Sequence, residues 1–117
     1  MTKAALGREM EDRARGFLES RGLDLIERNY QTRRGEIDLV MRDGGQLVFV
    51  EVRFRASRRY GGALASVDRH KQVRLIAAAR HYILARDYRG EARFDVVALE
   101  GPDQIQWIRD AFGVTDG

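Results

Sequence analysis

The chain has no cysteine, which excludes several kinds of site. Without thiols it has no disulfide framework, no thiolate zinc site and no cysteine nucleophile, as is common in a reducing compartment. It also lacks an apolar run of about 18 residues, the length that a membrane-spanning helix needs. Charged residues near the start, including Glu9, Glu11 and Asp12, replace the apolar segment of a secretory signal. We therefore predict a soluble cytoplasmic protein.

What remains is a chain of 117 residues that is 44% hydrophobic. That length and composition are enough for one hydrophobic core and too little for two. We predict a single domain over residues 1–117, with a loose tail at residues 113–117.

Apolar periodicity predicts the order of helices and strands. One helix is expected over residues 3–21, stopped by Gly22, and a second from Ser66 or Asp68 to Arg86. Strands are expected at residues 23–30, in a hairpin at 36–54, at 93–99 and at 105–108, with a basic, glycine-containing loop at 56–66. The order α-β-β-β-α-β-β predicts an α/β fold with a central mixed sheet and flanking helices.

Residues 35–55 are the most informative segment, because two apolar runs flank Gly44-Gly45. Both central positions of a type I′ turn need positive φ, so the two glycines favour a two-residue hairpin. The expected cross-strand pairs are Asp43 with Gln46, Leu39 with Val50, and Asp38 with Glu51. A three-residue loop would shift the register and send Asp38 to the opposite face.

Asp38 and Glu51 would then be direct neighbours inside an apolar hairpin. Opposed residues have Cβ atoms about 5 Å apart, and two like charges there repel by about 3 kcal/mol at an effective dielectric near 20. A hard divalent cation is one solution, because Mg²⁺ is usually held by one or two carboxylates. A structural salt bridge with Arg53 or Arg34 is the alternative that the spacing leaves open.

Glu11 is a third candidate, at the edge of the apolar stripe of the first helix. The small side chains near it, Gly7 and Ala14, would allow the helix to approach a sheet closely. Glu11 would then reach the acid pair. The alternative is an ordinary exposed helix carboxylate.

The net charge of +3 is unevenly distributed, because basic residues flank the hairpin acids and open the second helix. Such clusters are typical of proteins that bind a phosphate backbone. The candidate nucleic-acid contacts are Arg34, Arg55, Arg58, Arg59, Tyr60 and Lys71. A solvated basic face is the alternative, and the excess of 19 arginines over two lysines can reflect genome composition.

Several motifs occur in order along nearly the whole chain. They are Gly7-Arg8, Glu11, Ala14, Asn29-Tyr30, Gly35-Glu36-Ile37-Asp38-Leu39, Phe49-Val50-Glu51-Val52-Arg53, Arg55, Gly61, Lys71, Arg93-Phe94-Asp95-Val96-Val97 and Ala111-Phe112. Together they resemble the YraN family of small bacterial nuclease-like proteins. The resemblance implies a restriction-endonuclease-like fold related to Holliday-junction resolvases, with an acid on one strand, Glu-x-Lys on the next and a helix glutamate.

The resemblance also implies a site and a reaction. Glu11 matches the helix glutamate, Asp38 the first acid and Glu51 the glutamate of Glu-x-Lys, while Arg53 occupies the lysine position. The implied catalytic residues are these four, with Mg²⁺ or Mn²⁺ held by Asp38, Glu51 and Glu11. The implied activity is metal-dependent hydrolysis of phosphodiesters in structured or branched DNA. Resolvases of this kind pair to cut two strands, which leaves room for a homodimer.

Two positions depart from the family pattern. Arg53 replaces a lysine, and arginine stays protonated in proteins, so it cannot serve as a general base. It can still stabilise the charge of a phosphate in the transition state. Met10 stands where the family usually has glycine, which bears on how closely the helix meets the sheet. The alternatives to an active nuclease are a non-catalytic nucleic-acid-binding module and a protein-interaction domain.

Overall fold

The computed structural model describes residues 2–54, 67–101 and 103–113. Within them lie two α-helices and five β-strands, in the order α1-β1-β2-β3-α2-β4-β5. The elements are α1 Lys3–Ser20, β1 Asp24–Gln31, β2 Glu36–Asp43, β3 Gln46–Phe54, α2 Arg69–Ala85, β4 Ala92–Leu99 and β5 Ile105–Phe112. The predicted α/β order is confirmed.

The five strands form one mixed sheet in the spatial order β1-β2-β3-β4-β5. Strands β3 and β4 are parallel, and the other neighbouring pairs are antiparallel. Parallel neighbours require a crossover connection, which here contains α2. Strand β3 therefore lies at the centre of the sheet, where its residues from Leu47 to Glu51 are all buried.

The two helices pack on opposite faces of the sheet, because each face has its own cluster of buried side chains. Met10, Ala14 and Leu18 of α1 belong to one cluster with Leu39 and Val50 of the sheet. The other cluster joins α2 to the sheet through Leu75, Ile76, Ala79, Tyr82, Ile37, Val40, Phe49 and Phe94. Alternate residues of a strand point to opposite faces, so a carboxylate's position along β2 or β3 decides which helix it meets.

The ends of the helices follow the predicted capping residues. The predicted stop at Gly22 is confirmed, with φ of 94° and its N–H donating to the carbonyl of Glu19 at 3.1 Å. Of the two candidates for the start of α2, the cap is Asp68, whose carboxylate accepts from the backbone N–H of Lys71 at 2.8 Å. This cap fixes the first turn of α2 and the backbone position of Lys71.

The predicted hairpin register is confirmed between Asp43 and Leu39, although the turn differs in type. Asp43 pairs with Gln46 and Leu39 with Val50. Gly44 has φ of 60°, whereas Gly45 is outside the positive region. The expectation of a type I′ turn is therefore wrong, since this φ pattern is that of type II′, in which only the first central residue needs positive φ.

Strand β5 is longer than predicted. It continues to Phe112, which pairs with Phe94 after a register shift in β4. The expected end at Ile108 was wrong because Arg109 and Asp110 interrupt the apolar pattern, and Asp110 fits the strand only through a φ of 51°.

Neither described helix is long and apolar enough to cross a membrane. The loop predicted at residues 56–66 and most of the tail predicted at 113–117 lie outside the described residues.

Candidate active site

The acidic site lies where β2 changes the face to which its side chains point. Ile37 packs in the cluster on the α2 side and Leu39 in the cluster on the α1 side. Residues two apart on a regular strand share a face, so the alternation breaks at the residue between them, Asp38. This residue therefore lies between the two core layers.

Strand β1 changes face at the same level. Arg28 pairs with Leu39 and contacts acidic residues of α1, whereas Tyr30 pairs with Ile37 and packs in the cluster on the α2 side. Asn29 lies between them with φ of 53°, a left-handed conformation that asparagine tolerates. Two neighbouring strands thus deform together beside Asp38, where groups from both helices approach the sheet.

Asp38 lies one residue beyond the last pair described between β2 and β3, Leu39 with Val50. The expected direct pairing with Glu51 is replaced by a side-chain contact: the Asp38 carboxylate accepts from the backbone N–H of Val52 at 2.8 Å. Burial raises the pKa of Asp38 most, and the charge of Glu51 adds to this effect, so that the pKa rises from 3.8 to about 8. The two acids are therefore brought together in the folded protein.

Glu51 is the most buried of the candidate acids, with 4% of its side chain exposed. Among residues 2–54 and 67–101, its Oε2 atom contacts two cations, Arg53 Nη1 at 3.5 Å and Lys71 Nζ at 3.4 Å. A buried carboxylate needs such compensation, because an isolated charge loses its hydration on burial. The structural salt bridge considered for Arg53 is present, and Lys71 is a second partner from a different element.

Glu11 extends from α1 toward the same region and is 15% exposed. Burial raises its pKa, and the charge of Asp38 raises it further, while hydrogen bonds from Arg28 and Asn29 lower it. Arg28 Nη2 lies 3.3 Å from Glu11 Oε1, and Nη1 of the same guanidinium lies 2.7 Å from Asp12 Oδ1. Met10 is buried in the core and does not prevent this approach.

The donor set fits a metal ion held by few protein ligands. No group of three or more His, Cys, Asp or Glu side chains suited to a metal occurs among residues 2–54, 67–101 and 103–113. Mg²⁺ commonly keeps several waters and takes only one or two carboxylates together with phosphate oxygens. Asp38 and Glu51 fit that pattern, since they are hard oxygen donors whose mutual repulsion a cation would offset. Glu11 is near Asp38 but is held by Arg28.

A cleft of about 400 Å³ is connected to these acids through residues of its wall, although Asp38 and Glu51 do not line it. Its wall includes Lys71, which contacts Glu51, and Glu36, whose charge acts on Asp38. The remaining lining residues are Gln31, Thr32, Gly35, Arg74 and Leu75. Gly35 lets the β1–β2 turn meet α2, because a Cβ there would lie 2.5 Å from the carbonyl oxygen of Arg74.

Basic residues continue from this cleft along the outer side of α2. Arg34 is exposed, and it lines neighbouring cavities together with Arg33, His70, Arg74 and Arg80. The structure thus brings two predicted nucleic-acid contacts, Arg34 and Lys71, to the region of the cleft. The other four, Arg55, Arg58, Arg59 and Tyr60, lie outside the described residues.

Comparison with protein families shows the family to which the chain belongs. The model of a family described as "Uncharacterised protein family UPF0102" matches residues 10–99. The chain belongs to the UPF0102 family. This result confirms the resemblance to the YraN family, and the matched range contains Glu11, Asp38, Glu51, Arg53 and Lys71.

Curated UPF0102 proteins match over most of their length. The chain is 56% identical over 109 residues to one from Methylococcus capsulatus, which covers 90% of this chain and 88% of the relative. It is 58% identical over 106 residues to one from Halorhodospira halophila, with coverages of 91% and 85%. A relative from Ralstonia nicotianae is 55% identical over 116 residues, with coverages of 95% and 88%.

Sequence reasoning missed three contacts in this UPF0102 chain. Arg28 and Asn29 were not recognised as partners of Glu11, and Lys71 was assigned only to nucleic acid. Asn29 was visible as part of the Asn29-Tyr30 motif, but nothing in the pattern indicated its left-handed conformation. No sequence signal distinguishes Arg28 from the other arginines.

Proposed function

We propose that this UPF0102 protein is a metal-dependent endonuclease that hydrolyses phosphodiesters in structured or branched DNA. The observation that carries the proposal is the contact of Asp38 with the β3 backbone beside buried Glu51, whose partner Lys71 lines a cleft. Two neighbouring buried acids destabilise a fold by their mutual repulsion, so an arrangement that holds them together is typical of a functional site.

Each group has a distinct part in the proposed reaction. Asp38 and Glu51 would hold Mg²⁺ or Mn²⁺, which when bound supplies the Lewis acidity that activates water and offsets charge on the phosphate. Arg53 adds fixed positive charge for the transition state, because its guanidinium remains protonated. Arg28 fixes Glu11 at the edge of the site through the 3.3 Å contact. Arg34 and Lys71 would orient the nucleic-acid backbone in the cleft.

The proposal predicts metal-dependent cleavage that is lost when either acid is neutralised. Asp38→Asn and Glu51→Gln should each lower the cleavage rate by about 100-fold or more. Each substitution removes a carboxylate that would hold the cation, and the cation is what would act on the phosphate. The measurement is cleavage of single-stranded, duplex, flap and four-way DNA with and without Mg²⁺ or Mn²⁺. Glu9→Gln is the matched control, because Glu9 is an exposed acid on the same helix as Glu11. Equal cleavage by the wild type and both acid variants would refute the proposal.

A non-catalytic nucleic-acid-binding module is the second candidate function. It is favoured by Arg53 in the lysine position and by the contacts of the Glu51 carboxylate with the cationic groups of Arg53 and Lys71. This hypothesis predicts salt-sensitive binding of DNA without a metal requirement. In the same cleavage assay, activity that emerges only in Arg53→Lys would support it, whereas metal-dependent activity of the wild type would exclude it.

A further inference from the structure

In the described part of the chain, two cationic groups share one oxygen of Glu51. Lys71 Nζ lies 3.4 Å and Arg53 Nη1 lies 3.5 Å from Oε2. Arg53 is two residues further along the same strand, whereas Lys71 comes from the first turn of α2. Neutralising the buried carboxylate therefore depends on two different elements.

The two cations differ in what else they contact. Lys71 lines the cleft of about 400 Å³, with 34% of its side chain exposed, so its ammonium faces both Glu51 and the cleft. Its backbone N–H is fixed by Asp68, but its stem has four rotatable carbons and ends in three donors. Lys71 can therefore change partners without movement of the helix.

Lys71 is one of only two lysines in an arginine-rich sequence. Lysine occurs only at positions 3 and 71, against 19 arginines. Lys3 lies in the first turn of α1 and is exposed, and the other lysine contacts the most buried candidate acid. An ammonium is a compact point charge, whereas a guanidinium is a planar fork, so the two are not equivalent beside a carboxylate and a phosphate.

We propose that Lys71 acts in turn on the two charged partners of the site. It neutralises Glu51 in the metal-free protein, yields that carboxylate to a divalent cation, and then donates hydrogen bonds to the phosphate in the cleft. This inference rests on the proposed hydrolase function, to which it adds a catalytic residue from α2. Arg53, tethered on the strand of Glu51, remains as fixed charge.

If Lys71 exchanges Glu51 for the phosphate, removing its charge should change metal affinity and cleavage rate in opposite directions. A lysine that only contacts the phosphate would not have this effect. If Lys71 competes with the cation for Glu51, removal of its charge must tighten metal binding. If it also binds the phosphate, the same substitution must slow cleavage. A lysine that only contacts DNA would leave metal affinity unchanged, and a lysine that only supports the fold would lower both properties together.

The test measures Mn²⁺ binding by calorimetry without nucleic acid, and then cleavage of the best DNA substrate. Lys71→Met, which keeps the length of the stem, should bind Mn²⁺ about tenfold more tightly and cleave about 100-fold more slowly. Lys3→Met is the matched control and should match the wild type in both assays. Lys71→Gln provides a second variant if Lys71→Met does not fold, as judged by circular dichroism.

Selective labelling gives a readout that does not depend on activity. In protein labelled with ¹³C-lysine, the two Cε signals are assigned with the lysine variants, and Mg²⁺ should shift the signal of Lys71 while leaving that of Lys3 in place. Unchanged or weaker Mn²⁺ binding in Lys71→Met, or no Mg²⁺ effect on the Lys71 signal, overturns the inference even if the wild type cleaves DNA. Tighter Mn²⁺ binding without cleavage of any substrate overturns the hydrolase proposal and leaves the exchange at Glu51 supported.

Discussion

Asp38 is a residue whose chemistry depends on the folded state. Burial and the neighbouring Glu51 hold its pKa at about 8, against an ordinary value of 3.8. Between these two values the folded protein retains a proton that the unfolded chain releases. Folding is therefore coupled to proton binding, and the free energy of unfolding must decrease as the pH rises through this interval.

Substituting Asp38 with asparagine tests this coupling. Each unit of pKa difference corresponds to about 1.4 kcal/mol, so the wild type should lose several kcal/mol of stability as the pH rises from about 4 to about 8. Asp38→Asn should show a smaller loss and should exceed the wild type in stability near pH 8, because its amide oxygen can still accept from the N–H of Val52. Urea unfolding of both proteins across this pH range measures the difference. Parallel curves for the two proteins would contradict it.

The acids of the site could be predicted at the residue scale, but the groups around them could not. The hairpin register between Asp43 and Leu39 follows from the glycine turn and the apolar pattern, and it brings Asp38 close to Glu51 although the two residues are not a direct pair. Asn29 has a left-handed φ. Arg28 pairs with Glu11 because α1 packs against the sheet beside β1. Such contacts arise from tertiary packing, which has no periodic trace in the sequence.

At the scale of elements, a buried polar network joins β4 to β5. Asp95 is almost fully buried and accepts from Arg93 Nε at 2.9 Å, Arg93 Nη2 at 3.1 Å, Trp107 Nε1 at 2.9 Å and the backbone N–H of Asp110 at 3.0 Å. The last contact lies at the irregular step of β5, where Asp110 has positive φ. The network explains why a polar interruption in the sequence does not end the strand. The sequence revealed Asp95 only as part of a motif.

Neutralising Asp95 should destabilise the protein strongly. Asp95→Asn leaves the buried guanidinium of Arg93 with weakened compensation, and breaking a buried pair costs about 3 to 5 kcal/mol. Asp87→Asn is the matched control, since its ion pair with Arg89 is 80% and 82% exposed and should change stability by less than about 0.5 kcal/mol. Urea unfolding at neutral pH measures both. A loss in Asp95→Asn no larger than that of the control would contradict a structural role for the network.

At the scale of the whole molecule, a cleft with basic residues lies at one end of the sheet. The cleft end carries Arg34, Lys71 and Arg74 beside the acids. The opposite end, at the β2–β3 turn, is met by the segment that follows α2, where the hydroxyl of Tyr88 contacts the carbonyl of Gly45 at 3.5 Å. A net charge of +3 alone would not direct a polyanion to one end of the molecule, whereas the cleft residues would place the proposed nucleic-acid ligand there.

The position of the cleft predicts that two exposed arginines differ in their effect on DNA binding. Arg34→Ala should weaken binding and reduce the slope of log affinity against log salt concentration by about one, because one phosphate contact and its released counterion are lost. Arg89→Ala removes the same charge beside the β2–β3 turn and should leave the slope unchanged. Fluorescence anisotropy with labelled duplex and four-way DNA, titrated at several salt concentrations without metal, measures both. Equal loss of slope in the two variants would mean that DNA responds to net charge and not to the basic cleft.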